Sequence, residues 1–363
     1  MVKEMVGREK MKNRILIWGT GNIAKEMIDN GFEADIVGFI QTNKTENIFM
    51  GKEIYSFDKI DIDYDYIVVA NMYSDEIYEL CAKNNMDLGR IVFLVPARNR
   101  AKNQEVDLQN VCRILGEANY SLYCEKRGLW EETYIVEDIK KYNELNQREN
   151  LTIQKENLWP IISDKFAKAG TMGNYFWQDL WAARHIVSEQ IKEHYDIGSR
   201  IDGFIAHLLS AGIKVNMIDI RPFPGEVENL FTIVDDATML NNIEDNSLNS
   251  LSALCSIEHF GLGRYGDPID PEACFKCFSQ IQKKMKSGGK VYISLPIGRE
   301  RVEFNAHRVF YASTIIESFY EMELIEFSCV AEGKIEYNVE IHKYDNDMHK
   351  GEHRYGLFCF RKN

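Results

Sequence analysis

The sequence predicts an α/β protein built from two Rossmann-like parallel-sheet domains joined by a helical middle region. Two apolar strands each run straight into a glycine turn and a helix start, in RILIWGTGNIA at 14–24 and in YDIGSRIDG at 195–203. These starts lie too far apart to open the nucleotide site of one sheet twice. Around each, short buriable strands alternate with amphipathic segments, as in a parallel sheet covered by crossover helices. A chain of 363 residues also exceeds one ordinary core. The boundaries read as 1–100 for a small first domain, 101–174 for the helical region and 175–363 for the second domain.

In the first domain, strands are expected at 14–19, 35–40, 66–70 and 90–95, with a short element near 53–55. Helices are expected from about residue 22 to 30 and over 74–83, where Ile77, Leu80 and Cys81 share a face. Residues 100–193 carry no strong strand and read as charged helices and loops. The segment FWQDLWAARH at 176–185 brings two tryptophans to helical spacing and introduces the second domain. There, strands are expected at 215–220, 230–234, 250–257 and 290–295, with helices at 204–211, 271–285 and 313–320. The SGG run at 287–289 reads as the glycine cap that ends the second of these helices. Two β-rich runs, 324–330 and 355–360, close the chain as an antiparallel pair.

Hydrophobic residues at 45% and aromatics at 12% belong to a globular chain. No apolar run approaches the roughly 18 residues that span a bilayer. Residues 1–10 alternate charge and lack the apolar stretch of a signal peptide, so a cytoplasmic location is expected. A net charge of −13 argues against a broad nucleic-acid surface but leaves room for a local basic pocket. The expected partner is a small-molecule or sugar-nucleotide substrate, with no nucleic acid and no membrane insertion; a homo-oligomer stays open. The eight cysteines are scattered, and Cys81, Cys255 and Cys359 sit in apolar runs, as buried reduced thiols do. Cys274 and Cys277 form a lone C-x-x-C on one helix face, for which packing is preferred to a metal or redox role, and no metal site is expected.

Chemistry concentrates after the second glycine turn. Gly198 would let the backbone approach a ligand closely, and Asp219, about twenty residues on at the end of the next strand, suits a ribose diol. The motif SIEHF at 256–260 places Glu258 and His259 just past another strand, at the carboxyl edge where open α/β sheets hold ligands. His259 can act as a general base, or can simply bond a loop backbone. The loop GLGRYGDP at 261–268 offers Arg264, Tyr265 and Asp267 to a sugar or its phosphate, or is a rigid structural loop. His307 and Arg308 can contact substrate or serve the fold. In the first domain, Gly19, Gly21 and Asn22 open a helix whose N-terminus can take a phosphate. The ribose position there is Gln41 rather than an acid, which argues against ordinary NAD binding.

The C-terminal half resembles class I S-adenosylmethionine-dependent methyltransferases. It is similar in particular to methyltransferase-like domains encoded among bacterial surface-polysaccharide genes, including a family described as a domain of unknown function. The resemblance lies in the turn at 196–203, in SALCSIEHFGLGRYGDP at 252–268 and in FNAHRVF at 304–310. It implies that Asp196, Gly198 and Ser199 hold the methionine part of the cofactor, that Asp219 binds ribose, and that Asp236 with the backbone of Ala237 faces adenine. The usual turn is acid-x-Gly-x-Gly-x-Gly, whereas Arg200 and Asp202 stand at its second and third glycine positions. Arg200 either folds over the pocket to meet the cofactor carboxylate or pairs with Asp202 or Asp219 to hold the turn.

The N-terminal segment resembles small Rossmann-like modules attached to sugar-modifying enzymes and acetyltransferases, which implies a nucleotide or nucleotide sugar; a docking or dimerising role is the alternative. Taken together, the expected activity is methyl transfer from S-adenosylmethionine to a small acceptor, a sugar or sugar nucleotide of surface-polysaccharide biosynthesis, with His259 and Glu258 as the catalytic candidates. The alternatives are another nucleotide-sugar-modifying enzyme using the same pocket, and a non-catalytic nucleotide-binding scaffold.

Overall fold

Two sheets form, one around each glycine turn. The computed structural model describes residues 12–97, 106–170, 172–223, 225–348 and 354–363, so the charge-alternating residues 1–10 lie outside it. The chain divides into compact units Met1–Gly170 and Thr171–Asn363.

In the first unit the strands are β1 (Arg14–Trp18), β2 (Asp35–Gln41), β3 (Ile48–Phe49), β4 (Lys52–Ser56), β5 (Tyr66–Val69) and β6 (Ile91–Phe93). They line up as β3-β4-β2-β1-β5-β6, and all but the β3–β4 pair run parallel. The central strands are apolar throughout because both faces are covered. Ile15, Ile17 and Val68 point into one core with Ala24 and Met27 of α1 (Asn22–Asn30). Leu16, Trp18 and Val69 point into the other with Ile77 and Cys81 of α2 (Ser74–Lys83).

The middle of the chain differs from its expected role. Val111, Ile114, Leu115 and Tyr123 of α3 (Leu108–Arg127) enter the same core as α1. The buried amide of Asn119 donates to the Met27 and Gly31 carbonyls, both at 2.8 Å. The region set apart at 101–174 therefore belongs, up to Gly170, to the first compact unit. The apolar face of α3 is what the charge-dominated reading of this stretch passed over.

The second unit opens with α5 (Asn174–Ser188), which follows α4 (Ile135–Leu145) of the first. Its parallel strands are β7 (Glu193–Ile197), β8 (Lys214–Asp219), β9 (Leu230–Val234), β10 (Leu248–Leu254) and β11 (Met285–Ile297). Helices α6 (Gly203–Ser210) and α7 (Ala273–Lys284) connect them. A two-stranded pair, β12 (Arg301–Glu303) and β13 (His307–Val309), precedes α8 (Ala312–Ser318). The chain closes with β14 (Met322–Ala331), β15 (Lys334–Glu336) and β16 (Arg354–Lys362).

The sheet order is β15-β14-β16-β11-β10-β7-β8-β9. Strand β16 runs antiparallel between β11 and β14. Parallel strands with one antiparallel insertion near the end make this the class I methyltransferase sheet. Successive strands move outward from β7 to β9, then return to β10 on the other side of β7. That reversal is the topological switch point. Among the described residues, no helix is long and apolar enough to cross a membrane.

Two local expectations are corrected. Helix α7 ends at Lys284, and the SGG run lies inside β11 instead of capping the helix. A Cβ on Gly289 would stand 2.9 Å from the Leu248 carbonyl, so this glycine serves strand approach. Strand β10 stops at Leu254, after which Ile257–His259 form one 3-10 turn. His307 and Arg308 lie on β13, with Tyr311 separating that strand from the helix that follows. Cys274 and Cys277 are both buried in the main core, in the packing role preferred for them.

Candidate functional site

At the switch point the carboxyl ends of β7 and β10 nearly touch. Gly198 takes φ +69°, and a Cβ there would meet the Ser256 Cβ at 3.1 Å. Its N–H donates to the Ile218 carbonyl at 3.0 Å, while the Ser256 hydroxyl donates to the Ile197 carbonyl at 2.6 Å. Above this junction opens a cleft of about 810 Å³. Gly198, Ser199, Asp219, Asp236 and Ala237 border it, together with Tyr175, Glu258, His259, Arg264 and Tyr265.

The acids behave differently from one another. Asp196 is fully buried and does not border the cleft. Its carboxylate accepts from the Ser199 N–H at 3.0 Å and from the Ser199 and Ser252 hydroxyls. Burial raises its pKa to about 6, against the opposing pull of those bonds. Asp196 is thus a staple inside the turn, which corrects its expected contact with a cofactor. Asp219 does face the cleft. Its Oδ1 accepts from Arg221 N and Nε, and its Oδ2 from Arg221 Nη2, each at 2.9 Å. Asp236 also borders the cleft, although its Oδ1 caps the Thr238 N–H and hydroxyl at 2.8 and 2.7 Å. Arg200 pairs with Asp202 at 3.0 Å, the turn-holding option, and stands 5.8 Å from the Tyr175 ring.

Glu258, His259 and Arg264 stand close together, with Arg264 Nη1 3.4 Å from His259 Nδ1. The Nδ1 of His259 lies 2.6 Å from the Ala306 carbonyl, which can only accept, so Nδ1 carries the proton. Its Nε2 is therefore a free lone pair, 3.6 Å from Glu258 Oε1. One ring nitrogen of His259 thus serves the loop backbone, and the other faces Glu258. Burial lowers the His259 pKa to about 4, and the Arg264 charge adds to the effect. Glu258 is 3% exposed, and burial pushes its pKa up to about 8. Its Oε2 has no partner in hydrogen-bond geometry among the described residues, and the Cys255 thiol lies near enough to the carboxyl to pull its pKa down against burial. The nearby Cys255 thiol donates elsewhere, to Gln178 Oε1 at 3.0 Å.

Two further candidates are tied into the fold, although Asp267 also borders the cleft. Asp267 Oδ2 accepts from the Gly261 N–H at 2.7 Å and Oδ1 from the Tyr265 N–H at 3.2 Å, so it braces its own loop. Arg308 is buried and donates to the Phe260 carbonyl at 2.6 Å and the Glu258 carbonyl at 3.3 Å. It positions the 3-10 turn from beneath. His307 borders the cleft, 3.3 Å from Glu303, with burial lowering its pKa. Tyr175, Gln178, Arg221, Asp235 and Tyr355 also border the cleft but were not singled out from sequence. Only Arg221, two residues past the ribose-type acid, carried a local signal.

The first domain repeats the geometry on its own sheet. Gly19 has φ +131°, and a Cβ there would stand 2.8 Å from the Ala70 carbonyl. A cleft of about 620 Å³ opens beside it, bordered by Gly19, Gly21, Asn22 and Gln41. Gln41 is already engaged, donating to the Thr20 hydroxyl and accepting from the Thr45 N–H, both at 3.0 Å. Its expected place at a ribose is therefore filled by the protein's own loop.

Fold and cleft together define an open α/β domain with the strand order of class I methyltransferases. Residues 215–362 match the family model described as a Caenorhabditis protein of unknown function, DUF268, and residues 11–92 match the model described as C2185-like, N-terminal. Among curated proteins there is no significant match. Among solved structures the chain is similar to the 1,6-didemethyltoxoflavin-N1-methyltransferase of Burkholderia thailandensis, which was crystallised with 1,6-didemethyltoxoflavin and S-adenosylhomocysteine. The identity is 15%, over 51% of this chain and 78% of that one, with a TM-score of 0.38. It is similar to the PH0226 protein of Pyrococcus horikoshii at 14% identity, over 53% and 92% of the two chains, with a TM-score of 0.35. The glycopeptide N-methyltransferase MtfA gives 10% identity, over 50% and 94%, and a TM-score of 0.35.

Proposed function

We propose that the C-terminal domain is an S-adenosylmethionine-dependent methyltransferase acting on a small hydroxylated acceptor, a sugar or sugar nucleotide of surface-polysaccharide biosynthesis. The observation that carries this reading is placement. Gly198 at the end of β7 and Asp219 at the end of β8 border one cleft at the switch point, where open α/β sheets hold nucleosides.

The residues present fit such a cofactor. Gly198 keeps the backbone open where any Cβ would crowd Ser256. A carboxylate has about four acceptor directions, and Arg221 takes three of those on Asp219, leaving one for a ribose hydroxyl. Asp236 and the Ala237 backbone border the place for the base. S-adenosylmethionine, when bound, supplies an electrophilic methyl group on a sulfonium. His259 accepts the acceptor's hydroxyl proton at Nε2, since Nδ1 is already committed to Ala306. The chain's remaining task is to orient and desolvate the acceptor.

Tyr175, Tyr265 and Tyr355 around polar Glu258 and His259 suit a sugar, whose faces stack on rings and whose hydroxyls need polar partners. The polysaccharide setting rests on the resemblance of residues 252–268 and 304–310. For the first domain we propose a nucleotide or nucleotide-sugar ligand in the cleft beside Gly19.

A second reading is favoured by the Arg200–Asp202 pair at the glycine positions and by the Arg221 fork on Asp219. In it, the same cleft takes a nucleotide sugar for a different reaction. Calorimetric titration of the full chain with S-adenosylhomocysteine, UDP-glucose and NAD separates the readings. The first expects saturable binding of S-adenosylhomocysteine. Binding of UDP-glucose alone that is lost in Asp219→Ala favours the second, since that residue borders only the second-domain cleft, and no binding of either contradicts both.

A further inference from the structure

The cleft is bordered, among the described residues, by a cation without a carboxylate partner and by a buried carboxyl whose Oε2 makes no hydrogen bond in good geometry. Of the three arginines at the cleft, Arg200 is paired with Asp202 and Arg221 with Asp219. Among the described residues no Asp or Glu pairs with Arg264. Its Nη1 donates to the Ala306 carbonyl at 3.0 Å, and its guanidinium lies 5.1 Å from the Tyr265 ring centre. Most of its five N–H donors remain for a ligand. The neighbouring Glu258, almost wholly buried, is the carboxyl that borders the same cleft.

The carboxyl carried by the same loop, Asp267, is engaged by that loop's own N–H groups and makes no ion pair with Arg264. Burial keeps His259 neutral and lowers the pKa of His307, while it keeps Glu258 protonated at neutral pH. The loop that carries Arg264 is itself fixed, because Asp267 ties the Gly261 and Tyr265 N–H groups. Arg264 itself is exposed, and its bond to the Ala306 carbonyl sets where the guanidinium borders the cleft.

We infer that the acceptor is a hydroxylated anion, with its phosphate or carboxylate on Arg264 and a hydroxyl on Glu258. This rests on the methyl-transfer reading and narrows its substrate. Phosphate and carboxylate share the geometry an arginine fork recognises, two parallel charge-assisted bonds. Glu258 Oε2 gives a hydroxyl a buried partner, and the oxygen gains the bond that the empty cleft denies it. The two contacts flank His259, so the acceptor is oriented across the imidazole whose Nε2 is free.

The test is calorimetric titration of the full chain, saturated with S-adenosylhomocysteine, with glucose 1-phosphate, glucuronate and methyl glucoside. At least one anionic probe should bind about ten-fold or more tightly than the neutral glycoside, as one charge-assisted contact provides. Preference between the two anions identifies phosphate or carboxylate as the natural group. In Arg264→Gln the advantage of the anions should fall to about two-fold or less, with S-adenosylhomocysteine affinity unchanged to show an intact fold. Glu258→Leu should weaken all three probes alike. Equal binding of neutral and anionic probes, discrimination that survives Arg264→Gln, or no binding of any probe to protein that binds S-adenosylhomocysteine overturns the inference. Wild-type protein that does not bind S-adenosylhomocysteine contradicts the methyl-transfer reading, and this inference with it.

Discussion

Arg221 holds the carboxylate of Asp219 in a two-point fork, and the same guanidinium lies 4.8 Å from the ring of Tyr265. The acid at the end of β8 is thereby joined to the loop at 261–268. Burial alone would raise the Asp219 pKa, but the Arg221 bonds outweigh it and hold the carboxyl below its ordinary range. In the proposed function a ligand ribose shares this acid with Arg221. Asp219→Ala should weaken S-adenosylhomocysteine by about ten-fold or more, the cost of a lost charge-assisted bond. Arg221→Ala frees acceptor directions and should leave affinity within about three-fold of wild type. Equal losses in the two variants would mean that Arg221 touches the ligand itself.

Glu258 predicts how stability depends on pH. Its folded pKa, raised from 4.5 to about 8, lies above the unfolded value, so the folded chain binds the extra proton between those limits. Its contribution is complete below pH 4.5 and is lost as pH rises through 8. Glu258→Gln cannot ionise, so its melting temperature should fall less than that of wild type from about pH 5 to about pH 8.5. Parallel melting curves across that range would place the Glu258 carboxyl in contact with solvent.

His259 carries a tautomer that nitrogen NMR can read. The Nδ1–H form should be observed, with the ring neutral until the pH approaches 4. Titration near 6.5 would show that burial does not control this ring. With an acceptor that is turned over, His259→Ala should lower kcat by about a hundred-fold and leave cofactor affinity nearly unchanged. Loss of stability and cofactor binding together would make the histidine structural.

The first domain should not select NAD. Both ends of the Gln41 amide are engaged by Thr20 and Thr45, and no acid stands in its place at the end of β2. Titration with NAD should give no saturable heat at concentrations that saturate the second domain with its own ligand. Tight NAD binding with the adenosine ribose against Gln41 would contradict this.

Much of the fold was legible because strand-glycine-helix starts have local causes. Gly19 and Gly198 each sit where a neighbouring strand end leaves no room for a Cβ, and that demand is written in the sequence. The role of α3 was less visible, since its Asn119 and Leu115 matter through residues about ninety positions away. At the site, Asp219, Glu258, His259 and Arg264 were readable as strand-end or loop residues that border the cleft. Asp196 looked like a ligand because sequence reports its spacing and not that Ser199 and Ser252 enclose its carboxylate. Arg308 misled in the same way, its partners being backbone groups that no side-chain pattern encodes, while Asp267 borders the cleft with its carboxyl engaged by its own loop. Tyr175, Gln178 and Tyr355 arrive from α5 and β16, far along the chain from the glycine turn.

Hydrogen exchange of the full chain with and without S-adenosylhomocysteine tests the central claim most directly. The account predicts slowed exchange in three separated segments, 197–203, 218–222 and 235–238, which meet only at the cleft beside β7 and β8. It predicts no matching change at 18–23 in the first domain. Protection confined to 18–23, or none at a ligand concentration that gives a calorimetric signal, would contradict a cofactor site in the second domain.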